Sequence, residues 1–437
     1  MKVGVIGTGH VGLVTCASLS KVGHEVVGTD TDAEKIAMLQ DGRTPFFEPG
    51  LDELLAQQIS EGRLTFTKTS EDAVGEAEVV FISVGTPPRE TGEANLVAVE
   101  QSALDVAKKA TRRAVIVEKS TVPAGTAQRL RRALKEVRPA SFEDLELASN
   151  PEFLREGKAI EDSLHPDRIL VGADSEWAFE VMRSVYRPWI DEGFPFIETD
   201  LATAELAKHA CNAFLALKIS FANALARMCE RADADVVDIA DIMGSDDRIG
   251  RSFLNAGLGY GGSCFPKDLL AFERLAHRLG YDFPILREVA RINEEALDAT
   301  VDKVVDALWN LEDKKVALLG LSFKPGTDDL RFAPALGLAR RLLERGAKVT
   351  AFDPVVGDAA AAEVPGLEIA ADAYAAVEGA HCVVLCTEWE EFGQLDLQKL
   401  KEKLERPILV DGRNMFDPRE MAEHGFTYYP TGRPRPL

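Results

Sequence analysis

The sequence lacks several features that would place it in a specialised class of protein. Its 437 residues contain no run of roughly 18 apolar residues, so no transmembrane helix is expected. The chain begins MKVGVIG, which predicts a strand and a glycine turn, and not the charged lead and apolar stretch of a secretory signal peptide. We therefore expect a cytoplasmic protein, and the length predicts two or three domains.

Cysteine pairs and net positive charge are also missing. The six cysteines form no CxxC pair and the seven histidines show no metal-ligand spacing, so no metal site is predicted. Most of the cysteines are interpreted as small buried residues, and only Cys264 lies in an unusual setting. The formal net charge of -22 disfavours nonspecific binding to nucleic acid or anionic membranes. An anionic ligand is expected only where local cations or helix N-termini reverse this field.

The N-terminal segment carries a dinucleotide-binding pattern. An apolar strand is followed at once by GTGHVG (7–12), a helix and a second strand that ends at Asp30. Gly7 allows the tight turn, Gly9 the close approach of a pyrophosphate, and Gly12 the packing of helix against strand. The Asp30 carboxylate is placed to accept hydrogen bonds from an adenosine ribose and would repel a 2′-phosphate, which favours NAD over NADP. A plain glycine-rich turn between strand and helix is the alternative.

Two further strand ends carry hydroxyl side chains. The segments AEVVFISVGTPP (77–88) and AVIVEKSTVPAGT (114–126) each predict a buried strand that breaks into a loop. Ligands bind at the carboxyl edge of a parallel sheet, so Thr86, Ser120 and Thr121 are expected to face a cofactor. The alternative is that these side chains only cap the helices that follow.

The C-terminal third repeats the N-terminal plan. Residues 314–353 mirror residues 2–30 as strand, glycine, helix, glycine, strand and aspartate. The second copy has lost the glycine fingerprint, and Lys324 and Arg331 occupy its longer loop after Gly320. We therefore predict a different phosphate-bearing ligand in this copy, held by side-chain cations and not by bare backbone.

A long helix is predicted between the two copies. Residues 199–233 contain no glycine or proline, and Thr199 or Asp200 is suited to cap the N-terminus. An apolar stripe on this helix would pack against a neighbouring element or a second subunit; it comprises Leu206, Ala210, Leu217, Phe221, Leu225 and Met228. The predicted fold class is α/β, with two Rossmann-like doubly wound domains joined by a long central helix. Its predicted parts are an NAD-binding domain (1–198), a helical spine that would also pack against a second subunit (199–300) and a second Rossmann-like domain for a phosphate-bearing ligand (301–437).

The segment GYGGSCFPKD (259–268) surrounds one thiol with glycines. Such a cluster marks a turn or the close approach of another group, here interpreted as a bound ligand. Pro266 suits the first turn of a helix, so Cys264 is expected at or near a helix N-terminus, where the macrodipole lowers a thiol pKa. Asp268, four residues on, is placed on the same face.

A thiolate beside an NAD site suggests covalent oxidation of an aldehyde. The thiol adds to the carbonyl, a hydride leaves to the nicotinamide, and the resulting thioester is hydrolysed. This scheme requires an oxyanion donor, which Lys208 and Asn212, four apart on the long helix, would supply. On spacing alone, however, solvated surface is the favoured interpretation of this pair.

Together these motifs resemble the UDP-glucose/GDP-mannose dehydrogenases. The resemblance rests on GYGGSCFPKD, SNPEFLREG (149–157), AELAKHACNAFLALKISFANA (204–224), STVPAGT (120–126) and DDRIG (246–250). It covers nearly the whole chain, in order, and includes the layout of two Rossmann-like domains.

The resemblance implies a four-electron oxidation of a sugar C6 alcohol to a carboxylate, with two NAD+ per turnover. Cys264 would be the nucleophile, Lys208 and Asn212 would stabilise an oxyanion, Asp268 would activate water, and Glu152 with Thr121 would serve acid–base steps. The implied cofactor contacts are Gly7, Gly9, Val11, Gly12, Asp30, Lys35, Thr86, Ser120, Thr121, Glu156, Lys267 and Arg331. The implied contacts to the sugar nucleotide are Glu152, Phe153, Leu154, Lys208, Asn212, Arg248, Phe253, Tyr260, Gly261, Lys324 and Arg413.

Two further points follow from the resemblance. Arg248 would reach the site of a partner subunit, which makes a homodimer the expected minimum assembly. Lys35, where some relatives carry arginine, is a departure that leaves the adenosine contact less defined.

The expected substrate is UDP-glucose, because relatives acting on N-acetylhexosamine nucleotides carry a GGHC-type motif where this chain has Ser263. GDP-mannose, oxidised by the same mechanism, is the alternative. A two-electron β-hydroxyacid dehydrogenase would not need Cys264 or the second α/β domain. A non-enzymatic nucleotide-binding protein would bind ligand without turnover.

Overall fold

The computed structural model describes residues 1–137 and 144–435. Its strands are β1 Lys2–Ile6, β2 Glu25–Thr29, β3 Leu64–Thr67, β4 Val79–Ile82, β5 Ala114–Glu118, β6 Leu145–Ser149, β7 Ile169–Ala173, β8 Phe196–Thr199, β9 Lys315–Leu319, β10 Lys348–Phe352, β11 Leu367–Ile369, β12 Cys382–Leu385, β13 Ile408–Asp411 and β14 Thr427–Tyr429. Its helices are α1 His10–Lys21, α2 Ala33–Gln40, α3 Leu51–Ser60, α4 Ser70–Val74, α5 Val97–Lys109, α6 Thr126–Val137, α7 Ala159–Leu164, α8 Glu176–Val185, α9 Arg187–Asp191, α10 Leu201–Ala232, α11 Val236–Gly244, α12 Cys264–Arg278, α13 Pro284–Leu308, α14 Pro334–Glu344, α15 Asp358–Glu363, α16 Ala373–Val377, α17 Glu390–Gly393, α18 Leu397–Lys403 and α19 Pro418–Glu423. No helix in this described part is both long enough and apolar enough to cross a membrane.

The first sheet contains eight strands in the order β3-β2-β1-β4-β5-β6-β7-β8. Its neighbours are parallel apart from the antiparallel pair β6 and β7. The order of the first six strands is that of the Rossmann fold, in which the order reverses between the first and fourth strands and the ligand binds at that point. The predicted dinucleotide loop follows β1 and therefore lies at this position.

The second sheet has the same strand order. It reads β11-β10-β9-β12-β13-β14, and all of its neighbours are parallel. The repeat read from the sequence is therefore confirmed as two Rossmann-like sheets.

Strands β4 and β12, near the middle of their sheets, are apolar throughout because helices cover both faces of each sheet. In β4, Val79 and Phe81 point into one core cluster, and Val80 and Ile82 into the cluster on the opposite face. The cysteines of β12 and its end belong to the second sheet's core, since Cys382 and Cys386 are buried among apolar residues. Cys16 is buried as well, which agrees with its interpretation as a core residue, whereas Cys211 is only partly buried.

The chain forms two compact units. The first comprises Met1–Cys211 and Leu270–Tyr281, and the second comprises Asn212–Leu269 and Asp282–Leu437. The division into 1–198, 199–300 and 301–437 stays a prediction. The long helix is confirmed as α10, and Asp200 is its cap, because one Asp200 oxygen accepts from the Thr203 backbone N–H at 2.9 Å and the other from its hydroxyl at 2.6 Å.

Candidate active site

The glycine loop after β1 has the shape that a dinucleotide requires. Gly7 has φ +94°, and a Cβ there would lie 2.8 Å from the Ser83 carbonyl oxygen. A Cβ on Gly12 would lie 1.9 Å from the Gly7 carbonyl oxygen, so the helix packs directly on the loop. Gly9, by contrast, has no atom within 4 Å of its added Cβ. This open space at the N-terminus of α1 fits a pyrophosphate, whose charge the helix dipole and backbone N–H groups favour.

Asp30 lies at the end of β2, beside the glycine loop. It accepts hydrogen bonds from the Thr8 backbone N–H and hydroxyl, both at 2.9 Å, and from Lys35 Nζ at 3.0 Å. Burial works to raise the pKa of Asp30, but the hydrogen bonds from Thr8, Lys35 and Asp32 outweigh it and the pKa lies below its ordinary value. Asp30 is therefore an ionised acceptor suited to ribose hydroxyls. Lys35, the departure noted in the sequence, is held by this same carboxylate.

The hydroxyls after β4 and β5 donate to main-chain carbonyls. Thr86 Oγ1 donates to the Thr121 carbonyl at 3.0 Å, and Ser120 Oγ donates to the Val84 carbonyl at 2.7 Å. These bonds fix the two loops against each other, and neither hydroxyl caps a helix. The predicted contact of Thr86, Ser120 and Thr121 with a cofactor stays a prediction.

A buried ion pair joins the loop after β6 to α10. Lys208 Nζ lies 3.0 Å from Glu152 Oε1, and the other Glu152 oxygen accepts from the Leu154 backbone N–H at 2.6 Å. Lys208 is 3% exposed and Asn212 6%, so the interpretation of this pair as solvated surface is wrong. The Phe153 ring lies 3.8 Å from the Arg168 guanidinium and 5.4 Å from Lys208 Nζ.

Lys119 is a partly buried ionisable residue that our sequence reasoning missed. Its Nζ donates to Asn150 Oδ1 at 2.9 Å, and the Tyr186 hydroxyl donates to the same oxygen at 2.5 Å. Burial lowers the pKa of Lys119 to about 8, with Glu152 acting to raise it and Lys208 to lower it. The signal was available, because Lys119 directly follows β5, whose first four residues are apolar, at the ligand-binding edge of the sheet.

In the second unit, Asp268 joins two other predicted site residues. Asn212 Nδ2 donates to Asp268 Oδ2 at 2.6 Å, and Lys267 Nζ donates to Asp268 Oδ1 at 2.5 Å. Asp268 is 1% exposed. Helix α12 begins at Cys264, as predicted from Pro266, and the Ser263 hydroxyl lies 3.7 Å from the thiol sulfur.

The glycines before Cys264 are surrounded by protein atoms. Gly259 has φ +106°, and a Cβ there would lie 2.7 Å from Asn293 Oδ1. A Cβ on Gly261 would lie 2.4 Å from the Phe332 carbonyl oxygen, and one on Gly262 would lie 2.8 Å from the Phe323 ring. The sequence interpretation of a close ligand is therefore corrected for these two glycines, because the close neighbour is the loop after β9.

The same loop carries other predicted contacts of the second unit. Lys324 Nζ lies 5.3 Å from the Phe323 ring, and Arg331 forms two 2.8 Å hydrogen bonds to the Asp329 carboxylate. Arg413 Nε donates to the Cys386 carbonyl at 2.7 Å, and its Nη1 lies 3.5 Å from the Gly259 carbonyl oxygen. Cations from two loops are thus brought to the glycine segment.

Aromatic residues flank the cysteine helix. The Tyr260 ring meets the Phe265 ring edge-on at 5.8 Å, and the Phe253 ring lies 6.3 Å from Phe265. Phe253 also has φ +66°. Arg248, by contrast, extends into solvent and pairs with its own neighbour Asp246 at 2.6 Å.

The structure thus gathers the predicted residues into two groups. The first unit holds Gly7, Gly9, Val11, Gly12, Asp30, Lys35, Thr86, Ser120, Thr121, Glu152, Phe153, Leu154, Glu156 and Lys208. The second holds Asn212, Arg248, Phe253, Tyr260, Gly261, Cys264, Lys267, Asp268, Lys324, Arg331 and Arg413.

The two aspartates at equivalent strand ends differ in what surrounds them. Asp353, after β10, accepts from the Ser322 backbone N–H and hydroxyl, as Asp30 does from Thr8. Asp353 also accepts from Leu321 N, Val355 N, Val356 N and Trp389 Nε1. Donors from the protein itself therefore occupy the hydrogen-bond acceptor sites of the Asp353 carboxylate, in keeping with the loss of the dinucleotide fingerprint in this copy.

Comparison with known proteins accounts for nearly the whole chain. Residues 1–190 match the NAD binding domain of the UDP-glucose/GDP-mannose dehydrogenase family, residues 202–295 its central domain, and residues 317–418 its UDP binding domain. The UDP-glucose 6-dehydrogenase of Rhizobium meliloti is 44% identical, over 99% of this chain and 100% of its own. That of Pseudomonas aeruginosa is 44% identical, over 100% of this chain and 98% of its own.

A solved structure gives the same answer for the fold. A UDP-glucose dehydrogenase from the archaeon Pyrobaculum islandicum has a TM-score of 0.90 at 38% identity, covering 99% of this chain and 97% of that one. The glycine loop with Asp30, the second Rossmann-like sheet and the cysteine at the start of α12 occupy the parts of the chain that these matches cover. The chain therefore belongs to the UDP-glucose/GDP-mannose dehydrogenase family, and is an NAD-dependent oxidoreductase of nucleotide sugars.

Proposed function

We propose that the protein oxidises the C6 alcohol of UDP-glucose to a carboxylate, with consumption of two NAD+ and one water. The observation that carries this proposal is the placement of Cys264 as the first residue of α12, one turn before the buried Asp268–Asn212 pair. A simple alcohol dehydrogenase has no use for such a thiol. The names of the relatives that are 44% identical over their full length support the choice of substrate.

The glycine loop and Asp30 would hold the cofactor. NAD+ held there would supply the hydride acceptor for each of the two oxidations. Gly9 gives the pyrophosphate room, while Asp30 holds the ribose. Val11, Gly12, Lys35, Thr86, Ser120, Glu156, Lys267 and Arg331 complete the proposed cofactor contacts.

Cys264 would capture the aldehyde that the first oxidation forms. The thiolate sulfur bonds to the aldehyde carbon, and the second hydride leaves this adduct to give a thioester. Water then attacks the thioester carbon, the C–S bond breaks, and the thiol and a carboxylate remain. A thiolate is favoured at the first residue of α12 because the helix N-terminus stabilises negative charge.

The amide and ammonium groups on α10 would bind the developing oxyanion. Asn212 uses one of its two N–H donors on Asp268, so the second can serve the oxyanion. Lys208, which pairs with Glu152 at 3.0 Å, would be the ammonium donor. Asp268 would orient the attacking water, and Glu152 with Thr121 would carry protons during hydrolysis.

The second unit would hold the nucleotide sugar. Lys324 and Arg413 lie on loops that adjoin the glycine segment, where they would pair with the diphosphate. The remaining proposed contacts in this unit are Arg248, Phe253, Tyr260 and Gly261, and those in the first unit are Phe153 and Leu154. GDP-mannose is the alternative substrate and would use the same catalytic residues.

We also propose that the protein acts as a homodimer in the cytoplasm. On α10, Phe214, Phe221 and Met228 follow one another at intervals of seven residues and are 61%, 48% and 64% exposed. An apolar stripe of this kind is typical of a surface that a second helix covers. Arg248, which is also exposed, would then be available to the partner's site.

The experiment that tests the proposed function is the yield of NADH per nucleotide sugar consumed. UDP-glucose and GDP-mannose are compared for the wild type, Cys264→Ser and the control Cys229→Ser, which alters a buried cysteine on α10 outside the proposed site. We expect two NADH per UDP-glucose for the wild type and the control, and loss of turnover for Cys264→Ser.

The other outcomes are equally informative. One NADH per sugar, or normal turnover by Cys264→Ser, would contradict the thioester mechanism. Activity on GDP-mannose alone would keep the mechanism and change the substrate.

A further inference from the structure

An arginine-rimmed cavity of about 330 Å³ lies within the first unit, and none of the residues assigned to NAD or the nucleotide sugar lines it. We call it the arginine groove and define it by Arg89, Arg129, Arg274 and Arg278. Arg89 belongs to the loop after β4, Arg129 to α6, and the other two to α12. We propose that the arginine groove binds a small organic anion that carries at least two phosphate groups.

The arginine groove is positively charged, whereas the protein as a whole is negatively charged. Within residues 1–137 and 144–435, none of the four guanidinium groups has an ion-pair partner, although Arg131 on the same helix pairs with Asp174 at 2.6 Å. Glu93 and Glu100 also line the groove, so four positive and two negative side chains leave it net positive on a chain of net charge -22. Local cations that are not used by the protein itself are available to an anionic ligand.

The chemistry of the rim favours phosphate. A guanidinium group presents a planar set of donors that matches two oxygens of a phosphate, and such charge-assisted bonds are strong and selective. Four of them on one groove exceed what a single phosphate can use, which points to a ligand with two or more.

The floor of the groove is apolar. Val99 and Leu130 are buried on α5 and α6, and Ala271 and Leu275 are buried on α12. This surface suits the organic part of a ligand, such as a nucleoside base. The volume lies at the lower end of the range for small-molecule sites, which limits the ligand to about the size of a nucleotide.

One wall of the groove is fixed by a glycine. The loop after β4 turns at Gly92, which has φ +82°, and a Cβ there would lie 2.9 Å from Leu270 and 3.2 Å from Arg274 Nε. A β-bridge between Pro88 and Ala94 closes the same turn. The loop therefore rests directly on α12, next to Arg274.

The test is calorimetric titration of the full-length protein with inorganic pyrophosphate and with GTP. We expect both to bind, and GTP to bind more tightly because its base covers the apolar floor. In Arg129→Ala/Arg274→Ala the affinity should fall by about 100-fold, since each lost charge-assisted bond costs about tenfold or more. The control Arg132→Ala removes an exposed arginine of α6 that does not line the groove, and should leave the affinity within about twofold.

Each other outcome overturns the proposal. Absence of binding by the wild type does so directly. Equal binding by the wild type and the double variant would place the anion elsewhere, for example at the glycine loop of the dinucleotide site. Arg278→Ala, from the far end of α12, repeats the comparison if the double variant does not fold. The proposal does not rest on the proposed function, because binding is measured without sugar nucleotide or turnover.

Discussion

At the scale of single residues, Lys119 and Glu118 in the first unit lie outside the predicted catalytic set, and burial disfavours the charged form of each. Lys119 has Asn150 and Tyr186 as its hydrogen-bond partners, both of them neutral. Glu118 is buried at the end of β5, and neither of its oxygens accepts a hydrogen bond from a described donor. Each group therefore has a charge state that burial disfavours.

Lys119 makes stability depend on pH. Burial lowers its pKa from the ordinary value of 10.5 to about 8, so the unfolded chain binds more protons between these values and the free energy of unfolding rises with pH across that window. We expect Lys119→Met to be more stable than the wild type at pH 7 by up to about 3 kcal/mol, and this difference to shrink towards pH 10. Calorimetric melting temperatures from pH 7 to pH 10 measure it. The exposed Lys21→Met is the control, and a gap that does not change with pH would contradict the prediction.

Glu118 and Glu205 should respond differently to the same substitution. Burial, followed by the charge of Glu205, raises the pKa of Glu118 well above its ordinary value, which favours the neutral form of this carboxyl group. Glu205 accepts from the Gly125 and Ala127 backbone N–H groups at 2.6 and 2.8 Å, at the start of α6. Glu118→Gln should therefore change stability little, and Glu205→Gln should cost about 1–2 kcal/mol through loss of a charged cap. Hydrogen exchange at the Leu130 and Leu134 amides measures the stability of α6. Equal effects of the two variants would refute the role of Glu205 as a charged cap of this helix.

At the scale of elements, the glycine segment before α12 is a packing feature. Gly261 allows the loop after β9 to reach it, since an added Cβ would lie 2.4 Å from a main-chain oxygen that cannot rotate away. Gly393, in the same unit, meets only the flexible end of Met415 at 3.3 Å. The two positions form a matched pair for substitution by alanine.

We expect Gly261→Ala to destabilise the second unit by about 2–4 kcal/mol, and Gly393→Ala to change it by less than about 0.5 kcal/mol. The physical reason is the forced displacement of backbone in the first case. Chemical denaturation followed by tryptophan fluorescence gives both values. Similar stabilities for the two variants would show that the loop after β9 can move away from an added Cβ at little cost in free energy.

The elements were predictable from the sequence because their signals are local. The glycine turn of Gly7, the cap at Asp200 and the start of α12 at Cys264 each depend on neighbouring residues. The burial of Lys208 was not predictable from spacing, because helix periodicity says which residues share a face and not which face is covered. The neighbours of Gly261 come from a loop some 70 positions further along the chain, and no local pattern identifies them.

At the scale of the whole molecule, the exposed apolar residues Phe214, Phe221 and Met228 of α10 bear on assembly. We expect Phe221→Asp to convert the proposed dimer to a monomer, because a buried charge without a partner is strongly disfavoured at an apolar interface. Sedimentation velocity on wild type and variant measures the change. Trp309→Asp, at a residue that is 91% exposed beyond the end of α13, is the control and should leave the mass unchanged. A wild-type protein that sediments as a monomer would contradict the dimer itself.

The contacts of Gly261 and Gly262 also bear on how this sequence can drift in evolution. Their neighbours are Phe332 and Phe323, and neither contact involves the thiol of Cys264. Folding therefore constrains these glycines independently of the chemistry that constrains the cysteine. A descendant that has lost the cysteine nucleophile would still need both glycines to fold. Their presence in a distant sequence therefore indicates a shared fold and does not indicate that the protein is an enzyme.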